Sequence, residues 1–106
     1  MWAHSVAEMR TADIGTAKKE YLDTAIRIAE IAEAKGIIFS ARSGSGMISV
    51  NMFFDTYLMM EVIIDDRIYY SVDVFEDLYC YETRDHGFTT FDFVVQRLNE
   101  LKEKGE

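Results

Sequence analysis

Proline is absent from this chain, and cysteine occurs once, at Cys80. Without proline, glycine and aspartate must supply the turns. A lone cysteine cannot close an internal disulfide, so nothing marks an oxidising compartment. Histidine occurs only as His4 and His86, and neither has metal-ligand spacing with Cys80. Long apolar runs are missing too. The most apolar stretch, Tyr57 to Ile64, is interrupted by Glu61 and is too short to span a membrane. Residues 2–10 mix His4, Glu8 and Arg10 and do not read as a signal peptide. Repeats, low-complexity runs and linkers are absent as well. The expectation is a soluble, cytoplasmic protein without metal or cofactor.

What is present is enough for a core. The 106 residues fit one domain, 1–106, and 49% of them are apolar. The net charge is −8, and it is unevenly placed. Residues 1–46 hold six acids and six bases, whereas residues 47–106 hold thirteen acids and five bases. Between Asp55 and Asp92 ten acids face only Arg67 and Arg84. A field of this sign repels nucleic acid and attracts basic surfaces, and it also keeps a protein soluble.

The periodicity changes once along the chain. Ser5 with Glu8 has the spacing of a capping box for a short helix over Val6 to Thr11. Thr16 is expected to cap a longer helix to about Lys35, closed by Gly36. Within it Tyr21, Leu22, Ala25, Ile28, Ala29 and Ala32 share one face, with Asp23 and Arg27 opposite. From Ile37 the pattern turns to strands: "GIIFSAR", "MISVNMFF", "YLMMEVII" and "IYYSVDVF". Their short connections predict an antiparallel meander. A further short edge strand is expected around Leu78 to Tyr81. A last helix follows, capped by Thr89, with Phe88 and Phe93 as its staple and Asp92 in its first turn. Its stripe is Phe91, Val94, Val95, Leu98 and Leu101.

These elements predict a two-layer α+β sandwich, a meander of four to five strands flanked by an N-terminal and a C-terminal helix. Ile48, Val50, Met52 and Phe54 should share the core face with Leu58, Met60, Val62 and Ile64, and with Ile68, Tyr70, Val72 and Val74. The other face then carries Asn51, Phe53, Tyr57, Met59, Glu61, Ile63, Tyr69, Ser71, Asp73 and Phe75. That mixture is too apolar for a wet surface and has the composition of an interface. A two-residue turn at Asp55-Thr56 would change the register after Phe54.

Motifs for chemistry fail on context. "SARSGSGM" resembles a phosphate loop, but Gly46 precedes Met47 where a Walker loop needs lysine, and a strand follows where a helix is required. Gly44 and Gly46 are therefore expected to supply positive φ in a hairpin bend. "DVFEDLYCYE" lacks the glycine and alternating oxygens of a calcium loop. Asp85 beside His86 is the one candidate acid–base pair, but adjacent residues rarely point the same way, and His-Gly after Arg-Asp is ordinary turn chemistry. Cys80, among Tyr79 and Tyr81 in acidic surroundings, reads as a small buried apolar residue.

The function expected is a non-enzymatic binding protein that inhibits by docking on a basic, nucleic-acid-binding surface of another protein. The partner-binding residues would be Asp55, Glu61, Asp65, Asp66, Asp73, Glu76 and Asp77, with Phe53, Tyr57 and Tyr69 as aromatic anchors. Phage and mobile-element inhibitors of defence nucleases, such as anti-CRISPR proteins that mimic DNA, match this profile of size and charge. The alternative is a secretion chaperone or toxin-immunity protein whose apolar sheet face holds a client or forms a homodimer. A small hydrolase using His86 is a distant third.

Overall fold

The computed structural model describes residues 1–77 and 79–104. Its elements are β1 (Trp2–Ala3), α1 (Val6–Arg10), α2 (Lys19–Ala34), β2 (Ile38–Gly44), β3 (Met47–Phe53), β4 (Leu58–Ile64), β5 (Ile68–Phe75), β6 (Tyr81–Thr89) and α3 (Phe91–Lys104). All six strands form one antiparallel sheet in sequence order. The architecture is α+β, with a helix towards each end of the chain. The sheet has more strands than the four to five expected.

Helix boundaries follow local hydrogen bonding. Ser5 caps α1 by accepting from Glu8 N at 3.1 Å. The expected Thr16 cap is not used, and α2 starts three residues later, without a side-chain cap on Lys18. Gly15, at φ 62°, allows a turn that Ala17 N closes on Ile14 O at 3.2 Å, and this turn absorbs Thr16. At the other end Gly36 has φ 71°, Ile37 N donates to Ala32 O at 2.9 Å, and Gly36 N donates to Glu33 O at 3.1 Å. This is a Schellman closure. α3 is capped by Thr90, whose hydroxyl accepts from Phe93 N at 3.2 Å. Thr89, the expected cap, instead pairs with Ile68 as the last residue of β6.

The core face is the one the alternation predicts. Ile48, Val50 and Met52 pair with Ile64, Val62 and Met60, which pair in turn with Ile68, Tyr70 and Val72. The β3–β4 hairpin therefore does not turn tightly at Asp55-Thr56; Phe54 N closes the loop on Leu58 O at 3.0 Å. α2 buries its predicted stripe against β2, β3 and β4. α1 lies beside α2, with Val6 N donating to Glu33 at 3.2 Å. Arg27 lays its guanidinium 4.1 Å from the centre of the Phe91 ring, tying α2 to α3.

α3 buries Val94, Leu98 and Leu101 and lies on the same face as α2, towards β5 and β6. Phe93 packs on Tyr70 with ring centres 5.0 Å apart. Arg97 grips Asp85 of β6 through two bonds, at 3.2 and 3.0 Å. Tyr70 also helps Arg97 to hold the Asp85 carboxyl below its ordinary value. Asp85 lies in this layer in regular register from Thr89, and β6 carries a bulge just beyond it. Val72 pairs with Asp85 and Asp73 with Thr83, leaving Arg84 as the extra residue.

The "SGSG" stretch is a hairpin turn. Gly44 pairs with Met47, and the two loop residues, Ser45 and Gly46, have φ of 54° and 77°. Both central residues have positive φ, as a type I′ turn requires. Ser45 thus takes the left-handed conformation expected of Gly44. The short strand expected around Leu78 to Tyr81 is replaced by β6 from Tyr81 onward, and Leu78 lies outside the described residues.

Candidate protein-binding face

The helices cover only one face of the sheet. Register assembles the other in rows across the strands. One row runs Trp2, Arg42, Ser49, Ile63, Tyr69 and Phe88. The central row runs Ser40, Asn51, Glu61, Ser71 and His86. The third runs Ile38, Phe53, Met59, Asp73 and Thr83, and Phe75 beside Tyr81 completes the end. Large apolar side chains stand in water here: Ile38 is 74% exposed, Trp2 62% and Phe88 60%.

The aromatics are braced by their neighbours. Tyr69 bonds His86 Nδ1 at 2.9 Å and meets Phe88 edge-on at 5.4 Å. Phe75 lies 5.6 Å from Tyr81. Arg67 places its guanidinium 3.8 Å from the centre of the Phe88 ring. In the central row Asn51 Oδ1 is buried without a hydrogen-bond partner among the described residues. Its neighbour Glu61 is half-buried. Burial pushes its carboxyl above the ordinary range, Asp73 adds to the rise, and Arg42 opposes it.

At the Phe53 end the face runs into a cleft of about 470 Å³ between the β3–β4 and β5–β6 loops. Phe75 N donates to Tyr57 O at 2.7 Å and joins the two loops. Phe53, Tyr57, Leu58, Met59 and Phe75 line the cleft, with Asp55, Glu76 and Asp77 beside them. The aspartates also shape the loops: Asp55 accepts from Tyr57 N at 2.6 Å, and Asp77 accepts from Tyr79 N at 2.7 Å and Cys80 N at 2.9 Å.

The structure thus divides the residues expected to bind a partner. Phe53, Asp55, Tyr57, Glu76 and Asp77 meet in the cleft. Glu61 and Asp73 lie on the face next to it. Tyr69 stands in the row furthest from the cleft. Asp65 and Asp66 sit at the opposite end of the sheet, in the β4–β5 turn. Asp65 accepts from Arg67 N at 2.8 Å. Asp66 takes the Tyr21 hydroxyl, whose pKa this bond pushes up to about 12, and lies 3.8 Å from Lys18 Nζ. Asp66 thus ties the sheet to α2, while Asp65 holds the β4–β5 turn itself. Trp2, Tyr81 and Phe88 complete the face on β1 and β6, two strands that the sequence pattern does not show, and Ile38 joins them from the expected β2.

The remaining chemical candidates separate. Asp85 and His86 point to opposite faces of β6, one towards Arg97 and the other towards Tyr69. Cys80 is exposed, contrary to the buried position expected. Its loop folds on itself, with Glu76 N and Asp77 N both donating to Cys80 O, and this leaves the thiol in solvent. Among the described residues no helix is long and apolar enough to cross a membrane. Comparison with protein-family models, with curated proteins and with solved structures returns no match for this chain.

Proposed function

We propose that this chain is a non-enzymatic binding protein whose bare sheet face docks on a basic, nucleic-acid-binding surface of another protein and blocks it. The observation that carries this reading is the second sheet face, left without a helix and paved with exposed aromatic and aliphatic side chains. Five strands of seven to nine residues, with the two-residue β1 at one edge, span roughly 19 by 25 Å, on the order of 500 Å² in projection. A standard interface buries about 800 Å² of accessible surface per partner, so side-chain relief on this face supplies a comparable area. The carboxylates at one end steer basic partners to it, and the apolar rows provide the contact. Because Asp65 and Asp66 lie at the opposite end of the sheet from the cleft, the carboxylates do not form one phosphate-like line. Mimicry of nucleic acid is confined to the cleft end, as an inhibitor of the anti-defence type would use it. In such a protein the apolar face contributes most of the affinity.

The test is competition. Protein captured from a host lysate on immobilised chain should be released by a short DNA duplex and by salt. It should be lost when Phe53 and Phe88 are changed to serine. Capture that resists excess duplex would refute docking on a nucleic-acid-binding surface. A second reading, a homodimer or client-holding face, draws on the same exposed rows. Light scattering after gel filtration separates it, because a salt-insensitive dimer would cover the face with a second copy.

A further inference from the structure

The cleft beside Phe53 has an apolar floor but a charged rim, and that combination selects its occupant. We infer that it seats one arginine side chain, presented on an exposed segment of the partner protein. This rests on the docking reading above and names the anchor that reading leaves open.

Its volume, about 470 Å³, lies in the range of small-ligand pockets, so a long side chain and the backbone carrying it fit. Phe53, Tyr57 and Phe75 supply rings for a flat cation or a methylene stem. Asp55, Glu76 and Asp77 supply the charge, and among the described residues no lysine, arginine or histidine lines the cleft to neutralise it. Asp55 and Asp77 each hold their loops through one oxygen, Oδ1, which leaves Oδ2 available to a partner. An apolar occupant would desolvate three carboxylates with nothing in return, and an acidic one would be repelled.

Guanidinium fits better than ammonium. It is weakly hydrated, stacks on rings and spreads five donors over a plane, whereas ammonium is a compact, strongly hydrated charge. The chain already uses this contact internally: Arg27 lies 4.1 Å from the Phe91 ring centre, Arg67 3.8 Å from that of Phe88, and Arg42 5.7 Å from that of Trp2.

The experiment titrates isotope-labelled protein with acetyl-Leu-Arg-Leu-amide, its lysine counterpart and its neutral citrulline counterpart, read by amide chemical shifts. The arginine peptide should move Phe53, Tyr57 and Phe75 saturably and weaken by about threefold or more when salt is raised. The lysine peptide should bind about threefold more weakly, and citrulline should not saturate. The combined change Asp55→Asn, Glu76→Gln and Asp77→Asn keeps the turn-forming amide oxygens and should lower affinity about tenfold. Tyr57→Ala, at a half-exposed position, should lower it about threefold without touching the charge. Equal binding of citrulline or lysine, shifts centred on the β4–β5 turn, or an unaffected triple variant would overturn the assignment. If the peptides fail while a DNA duplex still releases a partner from the Phe53/Phe88 face, only the arginine seat is wrong. If both fail, so is the docking face.

Discussion

Replacing Asp85 with asparagine should loosen α3 from the sheet. The fork between Arg97 and Asp85 has both bonds within hydrogen-bonding range, 3.2 and 3.0 Å, and its two side chains are 16% and 34% exposed. Breaking a fully buried pair costs about 3–5 kcal/mol, and an exposed pair contributes about 0–1 kcal/mol. This pair lies between those limits, and asparagine retains an oxygen for one bond of the fork. The expected loss is therefore about 1.5 kcal/mol. With an unfolding entropy of about 2.1 cal/mol/K per residue over 106 residues, that lowers Tm by about 7 °C.

The pH dependence adds a second readout. Hydrogen bonding from Arg97 holds the Asp85 carboxyl below its ordinary value, against burial, with Tyr70 adding to the effect. A depressed carboxyl stabilises the fold above its unfolded pKa of about 3.9, and that stabilisation disappears as pH falls through the folded value. Urea titrations of wild type and Asp85→Asn, followed by circular dichroism, should differ at pH 7 and converge below about pH 4. A difference under about 0.4 kcal/mol at pH 7, or parallel curves down to pH 2, would refute the reasoning. So would strict additivity of Asp85→Asn with Arg97→Met in a double-mutant cycle.

Three further changes probe other parts of the fold. Gly36→Ala forces a Cβ into the left-handed closure of α2 at φ 71° and should cost about 1–2 kcal/mol by chemical denaturation. Ser45→Asn gives the β2–β3 turn the Asn-Gly pair that its two positive φ angles favour, and should add about 0.5–1 kcal/mol. Glu61→Gln should raise Tm at pH 7, because burial raises the folded pKa of Glu61 and its charged form therefore destabilises the fold. The sign requires the gain to vanish at pH 3, where glutamate is itself neutral.

Much of the sheet was legible because its central strands bury one face fully. Ile48, Val50, Met52, Met60, Val62 and Val72 alternate without a break, so period and register agree. β6 escaped because "YETRDHGFT" is an edge strand, paired on one side, polar, and thrown out of alternation at Arg84. β1, with two residues, is too short for any period to show. The cap of α3 shifted from Thr89 to Thr90 because a sheet pairing with Ile68 claimed Thr89. The cleft was half legible. Its aromatics and acids were singled out by type, but only the β4–β5 pairing brings the loop at Tyr57 beside the loop at Glu76. The same reasoning from charge grouped Asp65 and Asp66 with them, since composition does not record which end of a strand a turn occupies.

Arg84 makes β6 a strand of two phases. On its Thr89 side the odd beat belongs to α3, with Asp85 and Thr89 turned to the helices. On its Tyr81 side the count is shifted by one, so that Thr83 and Tyr81 keep company with Asp73 and Phe75. A regular strand would have to choose between anchoring the last helix and furnishing the cleft end of the bare face. Losing Arg84 itself would leave both assignments in place. Losing a residue between Asp85 and Phe88 would put one of them out of step, so lesions of equal length a short distance apart would have opposite consequences.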